Sequence, residues 1–269
     1  LYKGSILTLY IMEAGRYQNG YEYVKMGKNT SKRKILVIPG LNNEMIRTTR
    51  YPLYLRYHYR GLKNRQIIVA SRKEGLSQDI TTEEMAQHYK EIIDEEGPCN
   101  ILSVSMGGFI AQHLATKTDK IEKLVLGFTG QKIGKSGRKK IKDWINLLKK
   151  DKTSEFYREV AGDTFSGLKK PLYKLSGTAL WKTFSRPPKE DLIACAEACL
   201  EHDTTTEASS IETDTLMIGG RNDDFFPENV ISETAQRIGA ETRYIDGRHA
   251  AFQQNSSEFH DESRRFFDR

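Results

Sequence analysis

Cysteine is scarce in this chain, since only 3 of its 269 residues carry a thiol. Cys195 and Cys199 are four positions apart in a helical pattern and Cys99 stands alone, so no paired Cys/His cluster has the spacing of a zinc site. We therefore expect no disulfide framework, no metal and no cofactor. Free thiols are typical of a reducing compartment, and the expected location is the cytoplasm.

Long apolar runs are also missing. No stretch approaches the roughly 18 to 20 apolar residues of a membrane helix, so we expect no membrane span. The apolar run 6–12 is too short and Glu13 closes it, and no small-residue cleavage site follows, which argues against a signal peptide. These absences favour a globular chain with one large domain, or a domain with an insertion.

Acidic residues are sparse between residues 130 and 170, where twelve Lys or Arg side chains occur with five Asp or Glu side chains. The formal net charge of +6 therefore resides in this stretch. Such a run is either a solvated helix face or a surface that attracts anionic substrates or an anionic surface. No nucleic-acid motif or basic-aromatic interleaving accompanies it, so we expect no nucleic-acid partner.

Apolar, β-branched runs recur along the chain with helical stretches between them. Continuous runs predict strands buried on both faces, and their alternation with helices predicts an α/β, doubly wound architecture with a mostly parallel sheet. Residues 21–25 alternate in polarity and predict an antiparallel edge strand. The strands predicted from continuous runs are 34–38, 66–70, 100–104, 121–126, 215–218 and 242–245.

The alternation is interrupted between residues 130 and 210, where no convincing strand pattern occurs. Apolar residues at positions 141, 144, 145 and 148 form one face of a helix, and a second helical pattern covers 191–200. We interpret residues 130–210 as a helical cap inserted into a core formed by residues 1–129 and 211–269. In the core, Thr81 and Glu84 predict a capping box, Pro227 begins a helix, and 257–267 reads as a final helix.

Ser105 stands at the apex of a predicted strand, tight turn and helix. A serine in such a turn adopts a strained backbone conformation and needs small residues at minus two and plus two, where Ser103 and Gly107 stand. Small-x-Ser-x-small occurs by chance about once in a chain of this length, so the motif alone is weak. Its interpretation as a nucleophile depends on a base and an acid later in the chain.

His249 and Asp223 are the candidates for base and acid. A serine hydroxyl needs a base to take its proton, and that base needs an orienting carboxylate. His249 follows the predicted strand 242–245, and Asp223 lies in a turn after the strand 215–218. Asp224 is adjacent, and the sequence leaves open that it is the acid.

Two backbone amides are expected to stabilise the oxyanion of a tetrahedral intermediate. One is the N–H of Met106, which follows the nucleophile. The other comes from the loop after the strand 34–38, where Gly40 allows a tight turn and Leu41 is the expected donor.

The chain resembles the α/β-hydrolase fold family, in particular its cap-bearing serine esterase, enol-lactonase and haloperoxidase-like members. The resemblance is carried by Pro39-Gly40, Ser-Met-Gly-Gly from Ser105, Gly-Arg-Asn-Asp from Gly220 and Gly-Arg-His from Gly247. Residues 71–77 also resemble the family's Asp-x-Arg-Gly-x-Gly-x-Ser segment. The departures are Ser103 for the usual Gly, Pro39 for the usual His, and Asp214 where a Pro is common.

The resemblance implies an enzyme, namely a serine hydrolase that cleaves a small ester, thioester or lactone through an acyl-enzyme. An acyltransferase or a carbon–carbon bond hydrolase on the same three residues stays open, and so does a ligand-binding homologue without catalysis. The oligomeric state is not predicted. The expected substrate is a small molecule. The residues expected to act on it are Ser105, Asp223 and His249 as catalytic groups and Leu41 and Met106 as oxyanion donors.

Overall fold

The computed structural model describes residues 12–27, 34–41, 50–62, 65–167 and 187–269, with residues 50–53 described by their backbone only. Within these ranges eight strands form one sheet in the order β1-β2-β4-β3-β5-β6-β7-β8. The strands are β1 (Met12–Arg16), β2 (Glu22–Met26), β3 (Lys34–Ile38), β4 (Gln66–Ser71), β5 (Cys99–Val104), β6 (Ile121–Gly127), β7 (Thr215–Gly220) and β8 (Glu241–Ile245).

The strands from β3 to β8 pair in parallel, as the continuous apolar runs predicted. Every residue of β4, β5 and β7 is buried, because helices cover both faces of the sheet. The α/β architecture with a mostly parallel sheet is thus confirmed, and each predicted strand agrees with an observed one to within about two residues.

The first two strands are antiparallel and correct one prediction. β2 pairs antiparallel with β4, as expected for the alternating stretch 21–25, but it is not the edge of the sheet. β1 pairs with the outer side of β2 and forms the edge. Four of the five residues of β1 are exposed, so its sequence, Met-Glu-Ala-Gly-Arg, carries no apolar alternation that would have predicted a strand.

Nine α-helices occur in the described residues. They are α1 (Arg50–His58), α2 (Thr82–Glu96), α3 (Met106–Ala115), α4 (Lys135–Lys149), α5 (Thr153–Thr164), α6 (Lys189–Glu201), α7 (Glu228–Ile238), α8 (Ala251–Gln254) and α9 (Ser256–Phe267), and a short 3-10 turn, Tyr59–Leu62, follows α1. The predicted capping box of α2 is confirmed: the Thr81 hydroxyl accepts from the Glu84 N–H at 3.0 Å, and the Glu84 carboxylate accepts from the Thr81 N–H at 2.8 Å.

Two apolar layers hold the helices on the sheet. One layer packs α2, α3 and α7 on one face through residues such as Tyr89, Phe109 and Ile231. The other packs α1 and α9 on the opposite face through Leu55 and Phe259. This sandwich leaves the carboxyl ends of the parallel strands free to carry loops.

Three helices, α4, α5 and α6, come between β6 and β7 in the chain, and α4 packs against both of the others. The residues at positions 141, 144, 145 and 148 are buried, as their helical spacing predicted. In the described parts of 130–210 no strand occurs. Residues 168–186 of the predicted cap lie outside the described residues, and the division into cap and core stays a prediction.

No helix in the described ranges is both long and apolar enough to cross a membrane. The same ranges hold no group of three or more His, Cys, Asp or Glu side chains arranged to bind a metal ion. Cys99, Cys195 and Cys199 are buried free thiols.

Candidate active site

Ser105 lies in the sharp turn between β5 and α3. Its φ of 55° and ψ of −124° place a residue with a side chain in a region that only glycine adopts at low cost. Two backbone hydrogen bonds hold the turn, from the Ser105 N–H to Gly127 O at 2.9 Å and from the Gly108 N–H to Ser105 O at 2.8 Å. The surrounding structure thus maintains the strain that exposes the serine hydroxyl.

The small residues around Ser105 are required by close packing. A Cβ added at Gly107 would lie 2.0 Å from the carbonyl oxygen of Ile38, so only glycine lets α3 approach the end of β3. Ser103 is fully buried and its hydroxyl donates to the carbonyl of Val125 in β6 at 2.9 Å. The serine that replaces the usual glycine is therefore bonded to the neighbouring strand.

His249 and Asp223 meet Ser105 through two hydrogen bonds. His249 Nδ1 lies 2.8 Å from Asp223 Oδ2, and His249 Nε2 lies 2.9 Å from Ser105 Oγ. Because a carboxylate only accepts, the Nδ1 atom carries the proton and Nε2 is free to accept from the serine hydroxyl. The structure brings together the three side chains that the sequence pointed to.

The loops after β7 and β8 are bonded to each other, which fixes the acid relative to the histidine. The N–H of Arg221 donates to Ile245 O at 3.1 Å, and the N–H of Asn222 donates to Gly247 O at 3.0 Å. The side chain of Asp223 is fully buried. Its geometry toward His249 is therefore set by two strands that are neighbours in the sheet.

Phe225 and Phe226 orient Asp223, and the sequence reasoning did not foresee this. Their N–H groups donate to Asp223 Oδ1 at 2.8 and 3.3 Å, so one carboxylate oxygen is held by the backbone while the other faces His249. Their rings also flank the imidazole, with centroids 4.7 and 5.7 Å from that of His249. The N–H contacts come from the backbone and leave no signal in the residue types, whereas two consecutive aromatic residues after an acidic turn could have indicated the rings beside the imidazole.

Asp224, the alternative acid, faces another way. Its carboxylate accepts from Lys140 of α4 at 3.1 Å and also forms an ion pair with Arg248. Partial burial acts to raise the pKa of Asp224, but the hydrogen bonds and charges of Arg248 and Lys140 outweigh it and lower the pKa. Asp224 therefore links α4 to the loop that carries His249.

The two predicted oxyanion donors flank Ser105. Met106 is the first residue of α3, where backbone N–H groups have no partner within the helix. The loop 39–41 passes directly over the serine, since a Cβ added at Gly40 would lie 3.4 Å from Ser105 Cβ and 3.9 Å from its Oγ. Both Leu41 and Met106 contribute to the wall of the cavity that contains Ser105 and His249.

This cavity has a volume of about 200 Å³. Its described wall is mostly aliphatic and aromatic and contains no Lys, Arg, Asp or Glu. Burial, together with the charge of Arg60, lowers the pKa of the lining residue His58 to about 4, so its ring is neutral at pH 7. The side chains of α4 and α5 that complete the wall are Ile141, Trp144, Phe156, Val160 and Thr164.

No family model and no curated protein matches the sequence. Solved structures do match. The enol-lactonase from Burkholderia xenovorans has a TM-score of 0.81 at 18% identity, over 96% of this chain and 100% of that one. An alpha/beta hydrolase enzyme from a Medee basin deep-sea metagenome library has a TM-score of 0.80 at 18% identity, over 96% and 98%. An esterase from Exiguobacterium antarcticum has a TM-score of 0.76 at 16% identity, over 96% and 100%.

The chain has the α/β-hydrolase fold. The matches cover 96% of this chain and nearly all of the other chains, so the likeness concerns the fold as a whole. In an α/β-hydrolase fold the nucleophile stands on a strand-to-helix turn, and the acid and the histidine follow it in that order. The observed order of the three residues agrees with this arrangement.

Proposed function

We propose that this α/β-hydrolase-fold protein is a serine hydrolase that cleaves carboxylic esters, thioesters or lactones through an acyl-enzyme. The observation that carries the proposal is the pair of hydrogen bonds from Ser105 through His249 to Asp223 at the wall of an apolar cavity. Esterases and an enol-lactonase among the structural neighbours support a reaction at an ester-type carbonyl.

In the proposed reaction, Ser105 Oγ attacks the substrate carbonyl while His249 Nε2 takes its proton. Asp223 accepts from Nδ1–H, which keeps the imidazole in the productive tautomer and stabilises its charged form. The N–H groups of Leu41 and Met106 receive the developing oxyanion, a contribution worth about 10²- to 10³-fold per donor. His249 then protonates the leaving group, and water attacks the acyl-enzyme by the same route.

The cavity favours a neutral, apolar acyl group of modest size. An uncharged, largely apolar wall would leave a substrate carboxylate without a partner. Burying such an unpaired charge costs on the order of several kcal/mol. A dry apolar cavity of roughly 150 Å³ holds benzene, so about 200 Å³ suits acyl groups from butanoyl to benzoyl. We also propose that α4–α6 form a cap over the site, because their side chains line the cavity.

The basic stretch 130–170 contributes no Lys or Arg to the described wall of the cavity, so the possibility that it attracts anionic substrates gains no support there. Lys140, which lies in this stretch, is engaged by Asp163 and Asp224 at 3.0 and 3.1 Å. Exposed cations elsewhere on α4, such as Lys139 and Lys142, act only by long-range attraction, which salt screens within about 8–10 Å. Attraction of anions by this surface stays a prediction that salt dependence can test.

The test is a panel of p-nitrophenyl butanoate, hexanoate, benzoate and hemisuccinate, with a fluorophosphonate probe and peptide mapping. We expect kcat/KM for the three neutral esters to exceed that for the charged hemisuccinate at every salt concentration, and the probe to label Ser105. Ser105→Ala should lose about 10³-fold or more in kcat, while Ser103→Ala, a matched control two residues earlier in β5, should stay active. Labelling at another residue, or full activity in Ser105→Ala, would refute the proposal.

The remaining alternatives give other results with the same reagents. An acyltransferase would show faster release of p-nitrophenol when an alcohol or thiol acceptor is added, with a new ester or thioester as product. A carbon–carbon bond hydrolase would leave the ester panel nearly untouched. A ligand-binding homologue without catalysis would neither react with the probe nor turn over any ester. The buried free thiols support a cytoplasmic location, which we also propose.

A further inference from the structure

Arg72 is a buried arginine directly after β4, and it does not line the cavity. Its guanidinium donates to three consecutive backbone carbonyls, those of Pro39 at 3.1 Å, Gly40 at 2.6 Å and Leu41 at 3.0 Å. These three residues form the loop that passes over Ser105. One side chain thus holds the backbone of the whole described part of the proposed oxyanion loop.

The contact with Gly40 determines where the Leu41 amide points. In a planar trans peptide unit, the carbonyl of one residue and the N–H of the next point in opposite directions. No cis peptide bond occurs in the described residues, so the Leu41 N–H points away from Arg72 when the Gly40 carbonyl points toward it. The bond to Pro39 fixes the Gly40 N–H in the same way.

The segment that carries Arg72 is itself held by α6. The carboxylate of Asp191, in the first turn of α6, accepts from the N–H groups of Gly75 and Leu76, both at 3.0 Å. Asp191 is only 4% exposed, so these charge-assisted bonds are shielded from water. Arg72 therefore lies on a segment that is anchored to the sheet by β4 and to the helix α6.

We propose that Arg72 is a positioning residue that presets the oxyanion hole by holding the carbonyl side of the loop 39–41. The inference rests on the proposed function. Arg72 acts through the loop, since the residues that line the cavity include Pro39, Gly40 and Leu41, to which it donates, but not Arg72 itself. A planar guanidinium with five N–H groups suits three neighbouring carbonyls, whereas the ammonium of lysine is a compact charge without that fork.

The experiment compares Arg72→Met and Arg72→Lys with Arg65→Met, using the preferred ester of the panel. Arg65 is a matched control because it is also buried, immediately precedes β4 at the opposite end, and pairs with Asp268 at 2.5 Å. We expect kcat of the Arg72 variants to fall about 10- to 100-fold, somewhat less than the loss of a donor itself, while KM changes less than about threefold. Arg65→Met should lose thermal stability and keep its kcat.

A second readout isolates the oxyanion hole. An alkyl trifluoromethyl ketone adds to the serine, and its hemiketal oxygen occupies the same place as the oxyanion, so its affinity should fall by the same factor as kcat/KM. Guanidinium chloride at millimolar concentration should restore part of the kcat of Arg72→Ala, against NaCl at equal ionic strength as the control. A residue with a merely structural role would produce neither effect in the folded enzyme.

Several outcomes would overturn the inference. The first is an Arg72→Met enzyme whose kcat and ketone affinity match those of the wild type. The second is an Arg65→Met enzyme that loses as much kcat as the Arg72 variants. The third is that no Arg72 variant folds although Arg65→Met does. If only Arg72→Met fails to fold, Arg72→Lys and the rescued Arg72→Ala decide the question. A wild-type protein that neither reacts with fluorophosphonate nor hydrolyses any ester would instead refute the proposed function.

Discussion

The substitution Asp223→Asn is expected to move the imidazole proton of His249 from Nδ1 to Nε2, and the hydrogen bonds of Asp223 show why. Asp223 Oδ1 accepts from the N–H groups of Phe225 and Phe226. In the asparagine variant these two donors require the carbonyl oxygen at that position, which leaves the amide NH₂ facing His249 Nδ1. The NH₂ donates, so Nδ1 must accept and the proton moves to Nε2, where it faces Ser105 and cannot receive the serine proton.

The expected loss in kcat is about 10⁴-fold, the size found when a triad carboxylate becomes an amide and the tautomer changes. This corresponds to about 5.4 kcal/mol of transition-state stabilisation. The side chains are nearly equal in size, so we expect Tm to change little. The assay is steady-state hydrolysis of p-nitrophenyl butanoate across pH, together with thermal unfolding.

Asp224→Asn is the matched control, with the same chemical change one residue along the chain. It weakens the ion pairs with Lys140 and Arg248, which are partly exposed, so the cost in stability should stay below about 1 kcal/mol and kcat should change less than about tenfold. A silent Asp223→Asn beside an inactive Asp224→Asn would show that the acid is one residue further along and that the observed contact with His249 has no catalytic role.

Three further predictions concern stability. Ser105→Gly should raise Tm by about 2–4 °C in a thermal shift assay, because it releases backbone strain worth about 1 kcal/mol at a φ of 55°. A lower Tm would show that the turn between β5 and α3 is unstrained. Gly107→Ala should cost about 3 kcal/mol in urea unfolding, since its Cβ would lie 2.0 Å from Ile38 O. Gly75→Ala should cost less, because no atom lies within 4 Å of its added Cβ and only the left-handed φ of 74° opposes a side chain; equal costs would contradict this. Burial lowers the pKa of His202 to about 3, so below pH 6.5 the unfolded chain takes up a proton there and the folded chain does not. Stability should therefore fall as pH falls, by about 1 kcal/mol between pH 7 and 5.5. His202→Gln should lose that part of the pH dependence, and an unchanged difference between the two pH values would refute it.

The strands β3 to β7 follow closely from the apolar pattern, because strands buried on both faces leave a continuous signal in the sequence. β8 is an edge strand with only one buried residue of five, and its prediction rested on the short run Thr-Arg-Tyr-Ile. The capping box of α2 was equally readable, since all of its atoms come from four consecutive residues. β1 was not, because it is a mostly exposed edge strand whose place depends on its pairing with β2. Local patterns therefore predicted the elements wherever burial or local hydrogen bonds left a trace in neighbouring residues.

The site shows the same division. Chain order and local turn residues were enough to select Ser105, His249 and the pair Asp223 and Asp224, since each follows its own strand. Which aspartate meets the histidine depends on backbone N–H groups and cations that only the folded loops bring together. Tertiary packing likewise decides the hydrogen bonds from Arg72 to carbonyls 31 to 33 residues earlier in the chain. It also decides the uncharged cavity wall, whose residues come from both sides of the sheet. In both cases the contacts join segments that no local sequence pattern connects.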